Sequence, residues 1–351
     1  MTEARLYEKL DQNKVQCHLC AHRCTIAEGK RGICQVRENR DGTLYTLVYG
    51  QAISQAIDPV EKKPLFHFHP GSTAFSFATV GCNFRCAFCQ NWQISQLARE
   101  EGRICGHQAS PDYLASAASH YGCKSIAYTY TEPTVFFEYA YDTALKAARW
   151  GIKNIYVTNG YMTEEMLDAF GSHLHAANVD LKSFRDEFYH KTCGARLQPV
   201  LDTLKAMKKR GIWVEITTLV VPGQNDSEEE LQDIAQFVAQ EVGVEVPWHV
   251  SRFHPDYQMQ DGHHATPVST LHRARELGQR AGLRYVYEGN IPVLSGRDGV
   301  PSSEGENTLC YNCHNLLIQR YGFSVKKNVI LPGSKCPFCG VTIDGVGLAG
   351  N

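Results

Sequence analysis

The sequence predicts an α/β protein whose main domain is a partial (β/α)6 TIM-like barrel, with a cysteine-rich segment before it and a zinc ribbon after it. From about Ser72, short apolar runs alternate with longer helical stretches, which is typical of parallel strands joined by crossover helices. Eleven of the fourteen cysteines fall into three tight groups, one in each part of the chain. A doubly wound parallel sheet is the alternative architecture.

The barrel is predicted from six strands and the helices that follow them. The predicted strands are Ala74–Val80, Ser125–Thr129, Asn154–Thr158, Ala177–Asp180, Trp213–Val221 and Trp248–Phe253. The predicted helices are Pro111–Tyr121, Val135–Trp150, Thr163–Gly171, Pro199–Arg210, Ser227–Glu241 and Pro267–Ala281, and a last strand follows at Leu283–Tyr287. Asp226 or Ser227 is placed to cap the fifth helix, whose first turn carries the acidic residues Glu228–Glu230.

Composition divides the chain into four expected parts. Residues 1–71 form a cysteine-rich segment and connector, 72–290 the barrel, 291–306 a linker and 307–351 the ribbon module. The linker contains Arg297–Gly305, whose Gly, Pro and Ser content is that of a flexible connection.

The end of the first part, Asp58–Gly71, is rich in proline, histidine and charge and is expected to form a loop. Lys62, Lys63, His67 and His69 then either border a substrate entrance or belong to a solvated connector across the end of the barrel.

Charge and hydropathy narrow the class of protein. The formal net charge of −2, from 35 basic and 37 acidic residues, gives no general case for nucleic acid or an anionic membrane as partner. Residues 1–10 lack the apolar core of a secretion signal, and no apolar run approaches membrane-spanning length. Clustered cysteines in so long a chain indicate metal sites, and a reducing cytoplasm without membrane attachment is the expected location.

The second cysteine group, Cys82, Cys86 and Cys89, is spaced C-x3-C-x2-C after an apolar run and is called the cysteine triplet below. Four cysteines close the coordination sphere of a structural zinc or of most iron–sulfur clusters. Three cysteines on a [4Fe-4S] cluster instead leave one iron open for chemistry. A zinc knuckle with a fourth ligand from elsewhere is the alternative.

The first group, called the N-terminal cysteine group, is Cys17, Cys20, Cys24 and Cys34. It has enough thiols for a closed structural or electron-relay site, and its spacing leaves zinc and a second iron–sulfur cluster equally open. His18 and His22 are alternative ligands for either metal centre.

The third group, called the ribbon cysteines, is Cys310, Cys313, Cys336 and Cys339. Two C-x2-C pairs at this separation predict a zinc ribbon. The segment between the pairs carries basic residues and no acid, which slightly favours a macromolecular substrate over a small one, although a solvated surface is the simpler explanation.

The strand ends of the predicted barrel hold the polar residues. In parallel α/β proteins, ligands gather at the carboxyl ends of the strands. The turns there are Gly81-Cys82, Tyr130–Pro133, Thr158–Gly160, Asp180–Lys182, Val221–Asp226 and Arg252–Pro255. Six such turns in succession predict a rim lined for a ligand.

With Phe88 directly before its last cysteine, the stretch Gly81–Trp92 resembles the signature of the radical S-adenosylmethionine (radical SAM) superfamily. With the βα units of residues 72–290, the chain is similar to the activases of glycyl-radical enzymes. The N-terminal cysteine group, Asp58–Pro64 and the ribbon make it resemble the AmmeMemoRadiSam-system radical SAM enzymes, which are similar to pyruvate formate-lyase-activating enzymes. The resemblance supplies no physiological substrate.

The resemblance implies that the cysteine triplet holds a [4Fe-4S] cluster and that S-adenosylmethionine (SAM) binds beside it. Thr131-Glu132-Pro133 takes the place of a Gly-Gly-Glu-Pro turn that binds the methionyl amino group. Tyr130 and Thr131 replace its glycines, so the contact of Glu132 is better supported than the backbone contacts.

The remaining implied contacts follow the later strands. Asn159 is the candidate for the ribose, and Asp180 and Lys182 match an Asp-x-Lys element whose lysine meets the methionyl carboxylate. His254 matches a histidine near the cofactor and the hydrogen to be abstracted. Val157 stands where some activases have an acidic residue.

The lone Cys193, in the loop after the fourth strand, has two interpretations. It is either an inert small apolar residue or a thiol with a role toward the substrate. Likewise, Glu132, Asp180 and Lys182 either bind SAM or form a buried ion network, and Asn159 is either a ligand or part of an ordinary turn.

Two classes of function therefore remain. The first is a radical SAM enzyme that cleaves SAM reductively and uses the resulting 5′-deoxyadenosyl radical to abstract hydrogen, either as a glycyl-radical activase or as a modifying enzyme. The resemblance implies an electron donor such as flavodoxin or ferredoxin. The second is a non-catalytic zinc protein that binds nucleic acid or a protein partner through its cysteine groups.

Overall fold

The strands and helices alternate along the chain as the sequence pattern indicates. A computed structural model describes residues 1–291 and 304–350. The strands before residue 72 are Thr2–Glu3 (β1), Tyr7–Lys9 (β2), Val15–Cys17 (β3), Thr25–Ile26 (β4), Arg37–Arg40 (β5), Thr43–Thr46 (β6), Gln51–Ala52 (β7) and Ser54–Pro59 (β8).

The strands and helices that follow build the main domain. Its strands are Thr73–Ala78 (β9), His107–Gln108 (β10), Ser125–Tyr128 (β11), Lys153–Thr158 (β12), Ala176–Asp180 (β13), Trp213–Val220 (β14), Trp248–Arg252 (β15) and Val286–Gly289 (β16). Its helices are Trp92–Ser95 (α1), Leu97–Glu100 (α2), Pro111–His120 (α3), Phe137–Ala148 (α4), Glu164–Phe170 (α5), Asp186–Phe188 (α6), Gln198–Lys209 (α7), Glu228–Phe237 (α8) and Val268–Arg280 (α9). None of the described helices is long and apolar enough to span a membrane.

One eight-stranded sheet carries the main domain, in the order β16-β15-β14-β13-β12-β11-β9-β8. Seven of its strands are parallel, and β8 pairs antiparallel with β9. Because the parallel strands follow one another in chain order without a reversal, the sheet curves as an open barrel and is not doubly wound. The predicted partial barrel is confirmed, and its sheet also includes β8, which belongs to the stretch predicted as connector.

Burial explains why these segments form strands. All residues of β11 are buried, because helices cover the outside of the sheet while the inside faces the barrel. Helices α5 and α8 begin at capping side chains: Thr163 Oγ1 accepts from the amide of Met166, and Ser227 Oγ accepts from that of Glu230 at 3.2 Å. Of the two predicted caps of α8, Ser227 is therefore the one that the structure uses.

The N-terminal segment packs against one side of the barrel as two small antiparallel sheets, β2-β3-β4 and β1-β6-β5. A buried ion pair holds it there, since Arg37 of β5 donates to both carboxylate oxygens of Glu138 in α4. The predicted linker 291–306 lies largely outside the described residues.

The C-terminal module is a three-stranded antiparallel sheet of Thr308–Leu309 (β17), Leu316–Tyr321 (β18) and Ser324–Asn328 (β19). The buried guanidinium of Arg320 donates to Phe66 O at 2.8 Å and lies 4.3 Å from the centre of the Phe66 ring. His67 also contacts the module, through Asp344 O at 2.6 Å. The module is therefore docked onto the stretch that follows β8.

Candidate active site

The cysteine triplet lies on the loop that leaves β9, at the carboxyl edge of the sheet. All three thiols are free and border a cavity of about 570 Å³. Gly81 begins this loop with φ of 95°, and a Cβ there would lie 2.4 Å from Val36 Cγ1. The loop therefore needs glycine at this position, both for its backbone and for its contact with the N-terminal segment.

The spread of the triplet sulfurs separates the two interpretations of the motif. Among the described residues, the ribbon cysteines are the group of metal-ligating side chains whose ligand atoms all lie within 4.8 Å of one another. The triplet does not meet that spacing, and no other cysteine borders the cavity in the part of the chain that the structure describes. Three free, spread thiols beside an open cavity fit a [4Fe-4S] cluster better than a single zinc ion.

Glu132 lies on the turn after β11, almost fully buried at the wall of the cavity. Its Oε1 accepts from Thr134 Oγ1 at 2.6 Å and Thr158 Oγ1 at 2.7 Å, and its Oε2 accepts from Asn159 N at 2.8 Å. Burial raises the pKa of Glu132, although these donors oppose the shift. The carboxylate is held rigidly, and Oε2 retains an acceptor position for a further donor.

Asn159 connects the end of β12 to the triplet loop. Its Nδ2 donates to Asn83 Oδ1 at 2.8 Å, and its Oδ1 accepts from Tyr161 N at 3.0 Å. Because Asn83 follows Cys82 directly, this pair fixes the start of the triplet loop relative to the neighbouring strand ends. Asn159 also borders the cavity.

Asp180 and Lys182 complete the polar wall at the end of β13. Lys182 Nζ donates to Asp180 Oδ2 at 2.8 Å and lies 5.6 Å from the centre of the Phe88 ring. Burial opposes protonation of Lys182, but Asp180 and then Cys86 raise its pKa well above the ordinary value. The cavity thus contains a lysine that keeps its positive charge beside the triplet.

Comparison with known proteins agrees with this arrangement. The family model described as the radical SAM superfamily matches residues 77–238, which span the triplet, Glu132, Asn159 and Lys182. The chain belongs to the radical SAM superfamily. It is 49% identical over 345 residues to a Methanocaldococcus jannaschii protein named "Uncharacterized protein MJ0808", covering 98% of this chain and 99% of the relative.

Two further comparisons are more distant. A second protein of the same organism, "Uncharacterized protein MJ0674", is 27% identical over 288 residues, covering 78% of this chain and 77% of the relative. The solved structure of a radical SAM methyltransferase from Sphaerobacter thermophilus has a TM-score of 0.51 at 13% identity, covering 86% of this chain and 81% of that one. This last likeness concerns the fold alone. Membership of the superfamily implies an enzyme, which disfavours the non-catalytic zinc protein.

The turn in which Tyr130 and Thr131 stand in place of two glycines keeps a backbone conformation typical of glycine. Tyr130 has φ of 65°, in the left-handed region that costs an ordinary residue about 1–2 kcal/mol. Its hydroxyl donates to Asp58, and Lys63 Nζ lies 4.4 Å from the centre of its ring and 2.7 Å from Asp58 Oδ2. These contacts offset the strain, so the departure from the glycine pattern changes the side chains of the turn while keeping its path.

Lys63 and Tyr130 were predicted from the sequence as candidates at the site, but the contact that each makes with Asp58 was not predicted. Lys62 and Lys63 border the cavity, whereas His67 is fully buried behind it. The charge-rich composition of Asp58–Pro64 was the sequence signal for this part of the site. The composition did not show that the start of the stretch pairs antiparallel with β9.

The deeper wall of the cavity is a network around Glu215. This buried carboxylate accepts from His249 Nε2 at 2.7 Å, from His67 N at 2.7 Å and from Phe66 N at 2.9 Å. Burial opposes ionisation, but His249 and the other donors lower the pKa of Glu215. Phe323 of the C-terminal module reaches the same cavity, and sequence reasoning gave no signal for it.

The two predicted catalytic residues, Cys193 and His254, do not line the cavity. Cys193 is fully buried, and its carbonyl accepts from Arg85 N at 2.9 Å, directly behind the triplet loop. Its thiol contacts that of Cys86, whose pKa it lowers. His254 is half-buried, with Nε2 3.4 Å from Arg252 Nη1. Neither side chain is among the groups that surround the cavity.

The ribbon cysteines converge as the sequence predicts for a metal site. The sulfurs of Cys310 and Cys339 are 3.6 Å apart, and those of Cys313 and Cys336 are 3.7 Å apart. A tetrahedral ion with metal–sulfur bonds of about 2.3 Å places its ligands about 3.8 Å apart. The four thiols of the module are therefore spaced so that they could hold one metal ion.

Proposed function

We propose that this protein is a radical SAM enzyme that binds a [4Fe-4S] cluster through Cys82, Cys86 and Cys89 and cleaves SAM reductively. The observation that carries the proposal is the cavity in which the triplet faces Glu132 and Lys182. When bound, the cluster and SAM supply a one-electron cleavage that yields a 5′-deoxyadenosyl radical for hydrogen abstraction from the substrate.

The residues of the cavity have complementary roles in holding SAM. Three thiolates leave one ligand position of a four-iron cluster for the methionyl end. Glu132 accepts from the methionyl ammonium at Oε2, with Thr131 on the same turn beside it, and Lys182 attracts the methionyl carboxylate as a point charge. Asp180 keeps Lys182 protonated and oriented, and Asn159 contacts the ribose. Because these contacts fix SAM in one position, its translational and rotational entropy is lost on binding and adds nothing to the barrier of the reaction.

The chain also protects the site from water. The barrel supplies the buried Glu215 network, and Phe323 of the C-terminal module and Glu306, just before the module, also border the cavity. These residues would keep solvent away from the radical chemistry that bound SAM would supply. Domain parts 72–290 and 307–351 therefore contribute to one cavity in the proposed enzyme.

The finer assignment is a glycyl-radical-activase-like oxidoreductase or a radical-based modifying enzyme, working in the cytoplasm with a flavodoxin- or ferredoxin-like electron donor. The ribbon cysteines are proposed to hold zinc. His254 and Cys193 stay predicted catalytic residues, and their alanine variants test this by substrate turnover at unchanged SAM affinity. An activase leaves a stable radical on a partner protein, which electron paramagnetic resonance (EPR) detects, whereas a modifying enzyme yields an altered product without one.

Lys182→Met tests the placement of SAM. We expect the variant to bind SAM at least tenfold more weakly, since a buried charge-assisted contact contributes about 1.5–3 kcal/mol. Equilibrium dialysis of the cluster-loaded protein measures the affinity, with Lys209→Met on the exposed face of α7 as the matched control. Equal affinity in wild type and Lys182→Met would contradict the assignment.

A further inference from the structure

The N-terminal cysteine group folds into a second site of four thiols. Cys17 N donates to Cys24 O at 3.0 Å across the β3-β4 pair, and the turn between them closes through Arg23 N to Cys20 O at 3.0 Å. A Cβ on Gly32 would lie 3.8 Å from Cys24 Sγ, so the loop that carries Cys34 passes directly beside that thiol. These contacts bring the segments that carry the four cysteines together.

The two histidines of this segment are committed to other contacts. His22 Nε2 donates to Asn83 O at 2.9 Å, and His18 Nδ1 lies 2.9 Å from Arg23 Nη1. His18 Nε2 faces Glu8 at 3.4 Å. Thiols rather than imidazoles are therefore the ligands that the site offers.

The spacing of these thiols differs from that of the ribbon cysteines. The ribbon sulfurs have the separations of ligands on one tetrahedral ion, whereas no three of the N-terminal sulfurs lie within 4.8 Å of one another. Thiolates on separate corners of a cube-shaped cluster are held apart by the cluster itself, so they stand farther from one another than thiolates on one ion. The wider spacing fits a [4Fe-4S] cluster better than zinc.

The N-terminal site lies directly against the triplet loop. A Cβ on Gly81 would be 3.2 Å from Cys34 O, and Gly81 immediately precedes Cys82. The guanidinium of Arg99 donates to Ile33 O at 2.9 Å and to Cys82 O at 3.3 Å, which ties the two loops together. Cys34 is only partly buried and the neighbouring Ile33 is 45% exposed, so the site also reaches the surface.

We propose that Cys17, Cys20, Cys24 and Cys34 bind a second [4Fe-4S] cluster that relays electrons to the cluster of the triplet. A low-potential iron–sulfur or flavin protein gives up one electron at the exposed side of the site. The N-terminal cluster is reduced by that electron and is reoxidised when it passes the electron inward. No bond forms or breaks in the chain. The relay role rests on the proposed function, whereas the metal content of the site does not.

The metal content is tested with the triplet variant Cys82→Ser/Cys86→Ser/Cys89→Ser, in which the N-terminal site stays intact. After anaerobic reconstitution we expect this variant to retain about four iron and four sulfide ions per chain and to show an EPR signal when it is reduced. Wild type, which also has the triplet, should hold about twice as much. A colourless triplet variant with zinc in place of iron and sulfide would overturn the proposal. Cys105→Ser/Cys123→Ser, outside every group, is the control.

The relay is tested by the EPR spectrum of the fully reduced protein. Two paramagnetic clusters on adjoining loops broaden one another, so the wild-type spectrum should differ from the sum of the two single-site spectra. The second single-site protein is Cys20→Ser/Cys24→Ser. A wild-type spectrum equal to that sum would overturn the relay. If instead the proposed function fails because the triplet binds no cluster, wild type and the triplet variant should hold the same amount of iron, about four ions per chain. That result differs from an iron-free triplet variant, so the two failures are distinguishable.

Discussion

Arg37 donates to both carboxylate oxygens of Glu138, at 2.7 and 2.5 Å, and both side chains are buried. Burial opposes the positive charge of Arg37, but Glu138 raises the pKa of Arg37 above its ordinary value. Glu138 Oε1 also accepts from Arg5 N at 2.6 Å. One carboxylate of the barrel therefore holds two points of the N-terminal segment, and with them the position of the N-terminal cysteine group.

Glu138→Gln should destabilise the protein by about 3–5 kcal/mol, because it leaves the guanidinium of Arg37 buried without a countercharge. Denaturant unfolding measures the change. Glu165→Gln is the matched control, since its ion pair with Arg23 is exposed and contributes about 0–1 kcal/mol. Equal effects of the two substitutions would contradict the role given to the buried pair.

The backbone of Tyr130 gives a second prediction. Tyr130→Ala should be less stable than Tyr130→Gly by about 1–2 kcal/mol, because both lose the same contacts but only alanine keeps the left-handed strain. At the exposed Lys205, in the interior of α7, the alanine variant should instead be more stable than the glycine variant, since glycine in a helix interior costs about 1 kcal/mol relative to alanine. Unfolding in denaturant compares the two sites, and the same order at both would refute the explanation.

His67 predicts a dependence of stability on pH. Burial lowers the pKa of His67 to about 4, and its Nε2 accepts from the hydroxyl of Tyr287. In the unfolded chain a histidine titrates near about 6.5. The neutral form therefore contributes its full stability above pH 6.5 or so, and about 3 kcal/mol of it is lost as the pH falls toward 4.

Unfolding free energies of wild type and His67→Asn, measured across this pH range, check the effect. The variant should be less stable at neutral pH and should show a flatter slope between pH 6.5 and 4. His264→Asn, at an exposed position, should keep the wild-type slope. An unchanged slope in His67→Asn would show that other groups cause the acid dependence.

The ribbon cysteines predict a further metal measurement. Cys336→Ser should reduce the bound zinc by about one ion per chain, because three thiolates no longer close the tetrahedral site. The iron content should not change. Elemental analysis of the purified protein gives both values, and zinc retained at the wild-type level would contradict the assignment of this site.

The sequence predicted the barrel well because each βα unit has its own local signal. The six predicted strands match β9 and β11–β15 within two residues, since buried apolar runs and polar turns define them without reference to the rest of the chain. For strand β8, the antiparallel pairing with β9 escaped prediction. Its residues, Ser54–Pro59, alternate in burial, and only their pairing with β9 makes them part of the barrel.

Contacts between distant segments could not be predicted in the same way. Glu132, Asn159 and Lys182 were found because each stands at a strand end within a motif. The contacts of Asp58 with Tyr130 and of Arg99 with Ile33 join residues far apart in the chain. The contact of the buried Cys193 thiol with that of Cys86 likewise joins distant segments, and no sequence signal indicated it.

The central claim is that the cysteine triplet supports the cleavage of SAM. Its most direct test is the amount of 5′-deoxyadenosine formed when anaerobically reconstituted protein is reduced with dithionite in the presence of SAM. Wild type and Cys105→Ala should form 5′-deoxyadenosine together with methionine, and Cys82→Ala should form none. Cleavage that persists in Cys82→Ala would contradict the claim.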